Sequence, residues 1–330
     1  MTFVSIIVPC YNEERTIYGL LEAIYRQTYP RSLMEVVLAD GMSEDRTRDV
    51  VKKFVQEHPE LSVKLVDNPR RIIPSGLNRA IEVSGGEVLV RLDAHSAPSP
   101  DYVERCVSAL REGKGENVGG VWEIRPGGSG WIARSIAVAA SHPLGVGDAA
   151  YRYTNRSAYV DTVPFGAFRR ETLERIGWFD ETLLTNEDYE LNARLRQTGG
   201  KIWLDPAIRS VYYARSSLRA LAAQYWRYGF WKWRMLRRYP GTLRWRQALP
   251  PVFVAGVIGL GVGALWWAWA RWMLLLVGCL YLLVLALASL PLALKKKDLP
   301  LVIGVPLAIA TMHITWGGGL LFSMFKGMKR

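Results

Sequence analysis

Several short apolar runs early in the chain each end in side chains able to do chemistry. Val4 to Val8 leads into Pro9-Cys10-Tyr11-Asn12-Glu13, Glu35 to Ala39 into Asp40-Gly41-Met42-Ser43, Ser62 to Val66 into Asp67-Asn68-Pro69-Arg70, and Glu87 to Leu92 into Asp93-Ala94-His95. Asp93 and His95 can point to one side of a turn, offering a divalent cation a hard oxygen and an imidazole nitrogen. A lone histidine is usually no ligand, so the alternative is a shell of Asp93, ligand oxygens and water. Further on, Asn186-Glu187-Asp188 opens a segment with helical spacing. Asp188 is there either an N-terminal cap or a general base, since a helix N-terminus also keeps a carboxylate ionised. Tyr11 offers an aromatic face to a ligand or packs in the core; Glu13 and Asp40 accept hydrogen bonds from a ligand or cap helices.

The elements that must position these groups follow from the same runs. Val- and Ile-rich stretches alternating with segments of helical spacing predict βαβ units and an α/β fold built on a parallel sheet. In such sheets ligands sit at the carboxyl ends of the strands, where the candidate residues fall. Asn12 with Glu13 and Glu14 predicts one helix start, and Ser43 with Asp45 another near Glu44. Asn186 to Gln197 reads as a helix ended by Gly199-Gly200, whereas Val118 to Tyr213 is otherwise less regular.

In family order, Ile6-Ile7-Val8-Pro9 with Tyr11-Asn12-Glu13-Glu14, Asp40-Gly41-Met42-Ser43-Glu44-Asp45-Arg46-Thr47, Arg91-Leu92-Asp93-Ala94-His95, Asn186-Glu187-Asp188 and Gln224-Tyr225-Trp226-Arg227-Tyr228 resemble a family 2 glycosyltransferase of the GT-A fold, of the bacterial exopolysaccharide, succinoglycan-type subgroup. The resemblance implies that Pro9, Tyr11 and Glu13 line a nucleoside pocket, that Asp40 accepts from the base, and that Asn68, Arg70 and Asn78 form a donor-side loop and helix. It implies that Asp93, with Ala94 and His95, holds a metal-bound diphosphate. Asp188 becomes the base of an inverting displacement, with Glu187 in support. His95 stands where the commoner pattern has a second Asp, and imidazole favours Mn²⁺ over Mg²⁺. Phe165-Gly166 resembles the acceptor-side strand and turn. Gln224, Arg227 and Tyr228 match a Gln-x-x-Arg-Trp element with Tyr in the last place; they contact acceptor or belong only to an interfacial belt.

Composition fits a membrane-associated protein. Hydrophobic residues make up 50% of the 330 and concentrate after Pro250, where Pro251 to Ala270, Trp272 to Leu294 and Leu299 to Phe325 approach or exceed the ~20 residues that span a bilayer. The net charge of +12 is gathered partly between Arg215 and Arg246, a stretch without Asp or Glu and rich in Trp and Tyr. Such a belt beside an apolar segment faces anionic lipid rather than nucleic acid. Cys10, Cys106 and Cys279 show no metal or disulfide spacing. The expected division is a catalytic domain over 1–214, interfacial helices over 215–249 and a membrane domain over 250–330 with two to three spans. Positive-inside bias places the catalytic domain at the cytoplasmic face of the inner membrane, with Arg271 in a short external turn and Lys295-Lys296-Lys297 inside. A third span would carry Lys326, Lys329 and Arg330 outside, so Pro306 and Gly317-Gly318-Gly319 are candidates to break the last segment.

The expected activity is metal-dependent transfer from a nucleotide-sugar, a UDP-hexose, to a lipid-linked sugar acceptor. The rivals are a processive synthase, a polyprenyl-phosphate glycosyltransferase, and a non-catalytic scaffold binding the same ligands.

Overall fold

The computed structural model describes residues 2–326, and Lys329 and Arg330 lie outside them. The chain divides into two compact units: residues up to Glu123 with Tyr153–Tyr212, and Ile124–Arg152 with Tyr213 onward. The sequence pattern runs 1–214 as one domain; in the structure residues 124–152 group with the C-terminal helices instead.

The first unit is an α/β sheet. Strands β1 (Val4–Cys10), β2 (Met34–Asp40), β3 (Ser62–Asp67) and β4 (Val88–Arg91) alternate with helices α1 (Ile17–Tyr25), α2 (Thr47–Glu57) and α3 (Ile73–Val83). These strands are the apolar runs of the sequence, and they pair in parallel, Ile6 opposite Val36 and Val90. After β4 come β5 (Ala97–Pro98), α4 (Tyr102–Arg111), β6 (Asn117–Pro126), α5 (Trp131–Ala139), α6 (Pro143–Val146), β7 (Ala158–Tyr159), β8 (Ala167–Arg169), α7 (Arg170–Ile176), α8 (Glu187–Gln197) and β9 (Ile202–Ala214). The sheet order is β3-β2-β1-β4-β8-β6-β9-β5, with β7 on β9. Because β8 runs antiparallel to β4, the start of β8 meets the carboxyl end of β4. The sheet is therefore mixed, the GT-A arrangement expected.

Side-chain alternation explains how one strand feeds two cores. Val4, Ile6 and Val8 of β1 pack with Leu20, Leu21 and Phe54 on one face. Ile7 packs with Leu77, Ile81, Leu173 and Leu191 on the other. Helices α1 and α2 begin at Ile17 and Thr47, later than Asn12 and Ser43 predict. The polar side chains that read as caps are used between loops instead. Asn12 Oδ1 accepts from Glu44 N (2.9 Å), Ser43 Oγ from Asn12 N (2.9 Å), Asp45 from Glu14 N (3.1 Å) and Glu14 from Arg46 N (3.1 Å). This lacing joins the carboxyl ends of β1 and β2. Helix α8 starts at Glu187, as expected.

In the second unit α9 (Leu218–Leu236), α10 (Trp245–Gly263), α11 (Ala268–Lys296) and α12 (Leu301–Lys326) follow β9. The last three are long and apolar enough to cross a membrane. Two local expectations are corrected. The turn between α10 and α11 precedes Arg271, which lies inside α11 and donates from Nε to Ala264 O at 2.7 Å. Pro306 and Gly317-Gly318-Gly319 do not break α12, because the glycines serve close helix packing. A Cβ on Gly319 would overlap the Trp226 carbonyl of α9, and one on Gly229 of α9 the Trp316 carbonyl of α12.

Candidate active site

Strand β4 is buried along its length and ends in a charged residue, Arg91, whose side chain is 4% exposed. A guanidinium so placed requires anionic partners, and the neighbouring elements supply them. Nη2 lies 3.0 Å from Glu187 Oε1 and 3.3 Å from Asp93 Oδ1, and Nη1 pairs with Asp188 Oδ1. The Arg91 backbone N–H donates to Gly166 O at 3.0 Å, joining this point to the start of β8. Arg91 Nε is buried without a hydrogen-bond partner among the described residues. Asn186, at φ +71°, turns the chain so that the first turn of α8 presents Glu187 and Asp188 here. Three carboxyl groups around one guanidinium leave the cluster short of positive charge.

His95 extends this cluster toward β1. Its Nδ1 is 3.1 Å from Glu13 Oε1. Burial works to raise the Glu13 carboxyl, but hydrogen bonds from His95 and Thr16 outweigh it and hold Glu13 below its ordinary value. Tyr11 is 42% exposed, with the Arg71 guanidinium 5.7 Å from its ring centroid. Gly41 packs against that ring, where an added Cβ would come within 3.2 Å of Tyr11 Cβ.

Asp40 is fully buried and both its oxygens are engaged. Oδ1 accepts from Ser43 Oγ at 2.5 Å; Oδ2 accepts from Arg48 Nε at 2.5 Å and Ser43 N at 3.1 Å. In this conformation it holds the 41–43 turn rather than facing the crevice. Asn68 is buried, gives Nδ2 to Ile72 O at 2.9 Å, and leaves Oδ1 without a partner among the described residues. Pro9 lies in β1 beside Gly76. Arg70 and Asn78 both converge on Glu181: Arg70 by an ion pair, Asn78 by a 2.9 Å hydrogen bond beside its bonds to the Phe179 backbone. Their contacts brace the 178–184 loop. Ala94 is buried in the turn between Asp93 and His95. Phe165 (φ +65°) and Gly166 (φ +81°) form the bend into β8, where a Cβ on Gly166 would come within 2.6 Å of Asn117 Oδ1.

Backbone strain concentrates at this end of the sheet. Of the six non-glycine residues with positive φ among those described, Asn12, Met42, Arg71, Phe165 and Asn186 lie in the loops just named; only Lys297 does not. Such conformations cost about 1–3 kcal/mol each and gather where structure serves function.

Gln224, Arg227 and Tyr228 lie on α9 in the second unit. Gln224 is buried, giving Nε2 to Tyr228 Oη at 2.9 Å and accepting from Arg215 Nε at 3.3 Å, whereas Arg227 is exposed. In the sequence Arg91 stands in the Arg91-Leu92-Asp93-Ala94-His95 motif with no role of its own. The available signal was a charged residue closing an apolar strand.

No group of three or more His, Cys, Asp or Glu among the described residues forms a closed metal site. Asp93, with its side chain 30% exposed, and His95, which pairs with Glu13, could hold a cation only if ligand oxygens or water completed the shell.

Residues 5–177 match the family model described as Glycosyl transferase family 2. The chain is similar to the succinoglycan biosynthesis protein ExoA of Rhizobium meliloti, 32% identical over 74% of this chain and 73% of that protein. It is also similar to a dolichyl N-acetyl-alpha-D-glucosaminyl phosphate 3-beta-D-2,3-diacetamido-2,3-dideoxy-beta-D-glucuronosyltransferase of Methanococcus voltae, 27% identical over 99% of this chain and 98% of that one. Among solved structures, the mannosyltransferase PcManGT of Pyrobaculum calidifontis, in complex with GDP-Man and Mn²⁺, shares the fold at a TM-score of 0.70 and 22% identity, covering 98% of this chain and 88% of that chain.

Proposed function

Because the chain belongs to glycosyl transferase family 2 and is a glycosyltransferase of polysaccharide or glycan biosynthesis, we propose that it moves one sugar, with inversion, from a nucleotide-sugar to a lipid-linked sugar held at the cytoplasmic face of the inner membrane. The observation that carries this reading is the Arg91 cluster, which gathers Asp93, Glu187 and Asp188 at the carboxyl end of β4. A lipid-linked acceptor is supported by the Methanococcus relative, whose name specifies a dolichyl-linked one, and by three helices suited to a bilayer.

The roles follow from chemistry. Tyr11 stacks on the base and Glu13 accepts from the ribose, with Arg71 steadying the ring. Asp93, with His95, would hold a divalent cation, Mn²⁺ before Mg²⁺, as in the Pyrobaculum complex; when bound it neutralises charge on the departing diphosphate. Asp188 takes the proton of the acceptor hydroxyl as its oxygen bonds to the anomeric carbon and the carbon–phosphate oxygen bond breaks. Arg91 and Glu187 orient Asp188. Asp40 acts through Ser43 and Arg48, shaping the 41–43 turn beneath the nucleoside.

A UDP-hexose is the expected donor. GDP-mannose is the second reading, favoured by the Pyrobaculum complex. Incubating the protein with radiolabelled UDP- and GDP-sugars, Mn²⁺ and a lipid extract tests both. Label entering the organic phase from either sugar supports the reading and selects the base; label remaining in the aqueous phase with every donor contradicts lipid-linked transfer.

A further inference from the structure

The three apolar helices of the second unit do not share one direction. Helices α10 and α11 lie side by side as an antiparallel hairpin: Phe253 stacks on Tyr281 with ring centroids 4.6 Å apart, and a Cβ on Gly263 would come within 3.4 Å of Ala270 Cβ. In that register Pro250 stands level with about residue 284 of α11. Helix α12 meets α11 where Ser289 Oγ donates to the Val302 carbonyl at 3.2 Å, and meets α10 where Gly317 packs on the Pro250 carbonyl. Fifteen residues of α12, about 22 Å, thus match only five residues of the hairpin, about 8 Å. A helix running alongside α11 would carry residue 317 to the level of Leu260 instead. Between the two crossings His313 reaches the Tyr281 hydroxyl through the length of both side chains, Nδ1 to Oη 2.9 Å.

The two faces of α12 have different surroundings. On one, Gly304 packs on Ser135 of α5 and Met312 on Gly145 of α6, and further along Trp316 and Gly319 pack on Gly229 and Trp226 of α9. The other exposes Ile303, Leu307, Ile314, Phe322 and Phe325, which fall within about 100° of arc at 3.6 residues per turn. Helix α9 is unsuited to hydrocarbon, because Arg219, Arg227 and Arg234 are exposed along it. The 316–322 part of α12 therefore lies at the depth of α9. Near the start of α12, Arg134 pairs with Asp298 at 2.7 Å beside Lys295 to Lys297. Beside its middle, Asp148 pairs with Arg244 at the start of α10, and Gly147 lies against Arg246. Charged groups thus hold both ends and the middle of α12 near one depth.

We propose that α12 does not cross the bilayer but lies obliquely in one leaflet, on the side that holds α9, with its stripe from Ile303 to Phe325 against lipid acyl chains. Only the α10–α11 hairpin crosses. The lipid it meets is anionic: the exposed arginines of α9 belong to a stretch from Arg215 to Arg246 without Asp or Glu, which sets positive charge among the headgroups above the apolar stripe. Length and composition fit α12 for a span, yet protein covers the face that a span would turn to lipid. Lys326 then returns to the side of Lys295 to Lys297, in keeping with the positive-inside bias. None of this depends on which sugar is transferred.

Site-directed labelling tests the topology in the full chain carrying Cys279→Ser, since Cys279 is the exposed native cysteine. Single cysteines are introduced at exposed positions by Leu265→Cys in the α10–α11 turn, Leu299→Cys before α12 and Lys326→Cys at its end. Sealed inverted and right-side-out vesicles of the host membrane are treated with a membrane-impermeant maleimide. Cysteines at 299 and 326 are expected to react in the same preparation, and the cysteine at 265 in the other. Reaction of 326 with 265, and not with 299, overturns the proposal. Depth supplies a second readout in phosphatidylethanolamine–phosphatidylglycerol vesicles. A fluorophore at Ile314→Cys, midway along α12, is expected to lose more emission to bromines near the headgroup than to bromines at mid-chain, with the reverse for Ile258→Cys in α10. Strongest quenching of both labels at mid-chain also overturns the proposal, because a spanning α12 would hold residue 314 at the bilayer centre.

Discussion

Arg91 is where the chemistry of the site is concentrated. A lysine there would keep one positive charge but lose the planar fork that reaches Asp93, Glu187 and Asp188 together. Arg91→Lys is therefore expected to lower kcat by about 10-fold or more, consistent with the loss of about 1.4 kcal/mol or more of oriented contact, while the donor KM changes less. Steady-state kinetics at saturating acceptor separate the two constants, and an unchanged kcat would remove Arg91 from the positioning of Asp188. His95 carries a separate prediction. If it holds the cation, His95→Asp moves metal preference toward Mg²⁺, and an unchanged Mn²⁺-to-Mg²⁺ activity ratio would mean it does not. At this scale the sequence shows that Asp93 follows the apolar strand closed by Arg91, which is enough to bring the two together. It was poor where the decisive property is a partner distant in sequence. Asp40 illustrates this, since its engagement by Arg48 depends on how β2 and α2 fold together.

At the scale of elements, alternation made the parallel half of the sheet readable, because strands buried on both faces are written as unbroken Val and Ile runs. Helix starts were less readable. Asn12, Glu14, Ser43 and Asp45 have the chemistry of caps, yet each bonds across to the opposite loop, and no local pattern distinguishes these uses. Glu35 offers a test of how β1, β2 and the turn before β4 are joined. It accepts from Ser5 Oγ (2.6 Å), Gly85 N (2.6 Å) and Lys64 Nζ (2.7 Å). Burial tends to raise its carboxyl, but these bonds outweigh that and hold it below the ordinary 4.5. A carboxylate depressed on folding contributes stability above its unfolded pKa and loses it as pH falls through the folded one. The melting temperature should thus fall on acidification below about 4.5, the group's ordinary value. Glu35→Gln should be less stable at neutral pH by about 1–3 kcal/mol and show a flatter decline. A mutant as acid-sensitive as the parent would assign that sensitivity elsewhere.

Across the whole molecule, the apolar C-terminal quarter announced itself by composition, whereas the membership of residues 124–152 in the second unit did not. A short segment of Ala, Ile and Ser reads equally well as catalytic-domain helix. Its place is fixed by residues such as Arg244, Asp298, Gly304 and His313, which lie far along the chain. The glycines of α12 were likewise visible but ambiguous, since glycine both breaks helices and lets them approach closely. Gly319→Val is expected to disrupt the α9–α12 crossing by driving a side chain into the Trp226 carbonyl, lowering the thermal midpoint in detergent; an unshifted midpoint would show that the crossing contributes little.

Asp188, paired with Arg91 at the start of α8, is the proposed base. In Asp188→Asn the side-chain shape persists without a proton acceptor of useful strength, so kcat should fall by about 10²–10⁴-fold. Donor-induced stabilisation with Mn²⁺ should remain close to that of the parent protein. Sugar transfer at the parental rate, by a folded variant that still binds donor, would contradict the assignment.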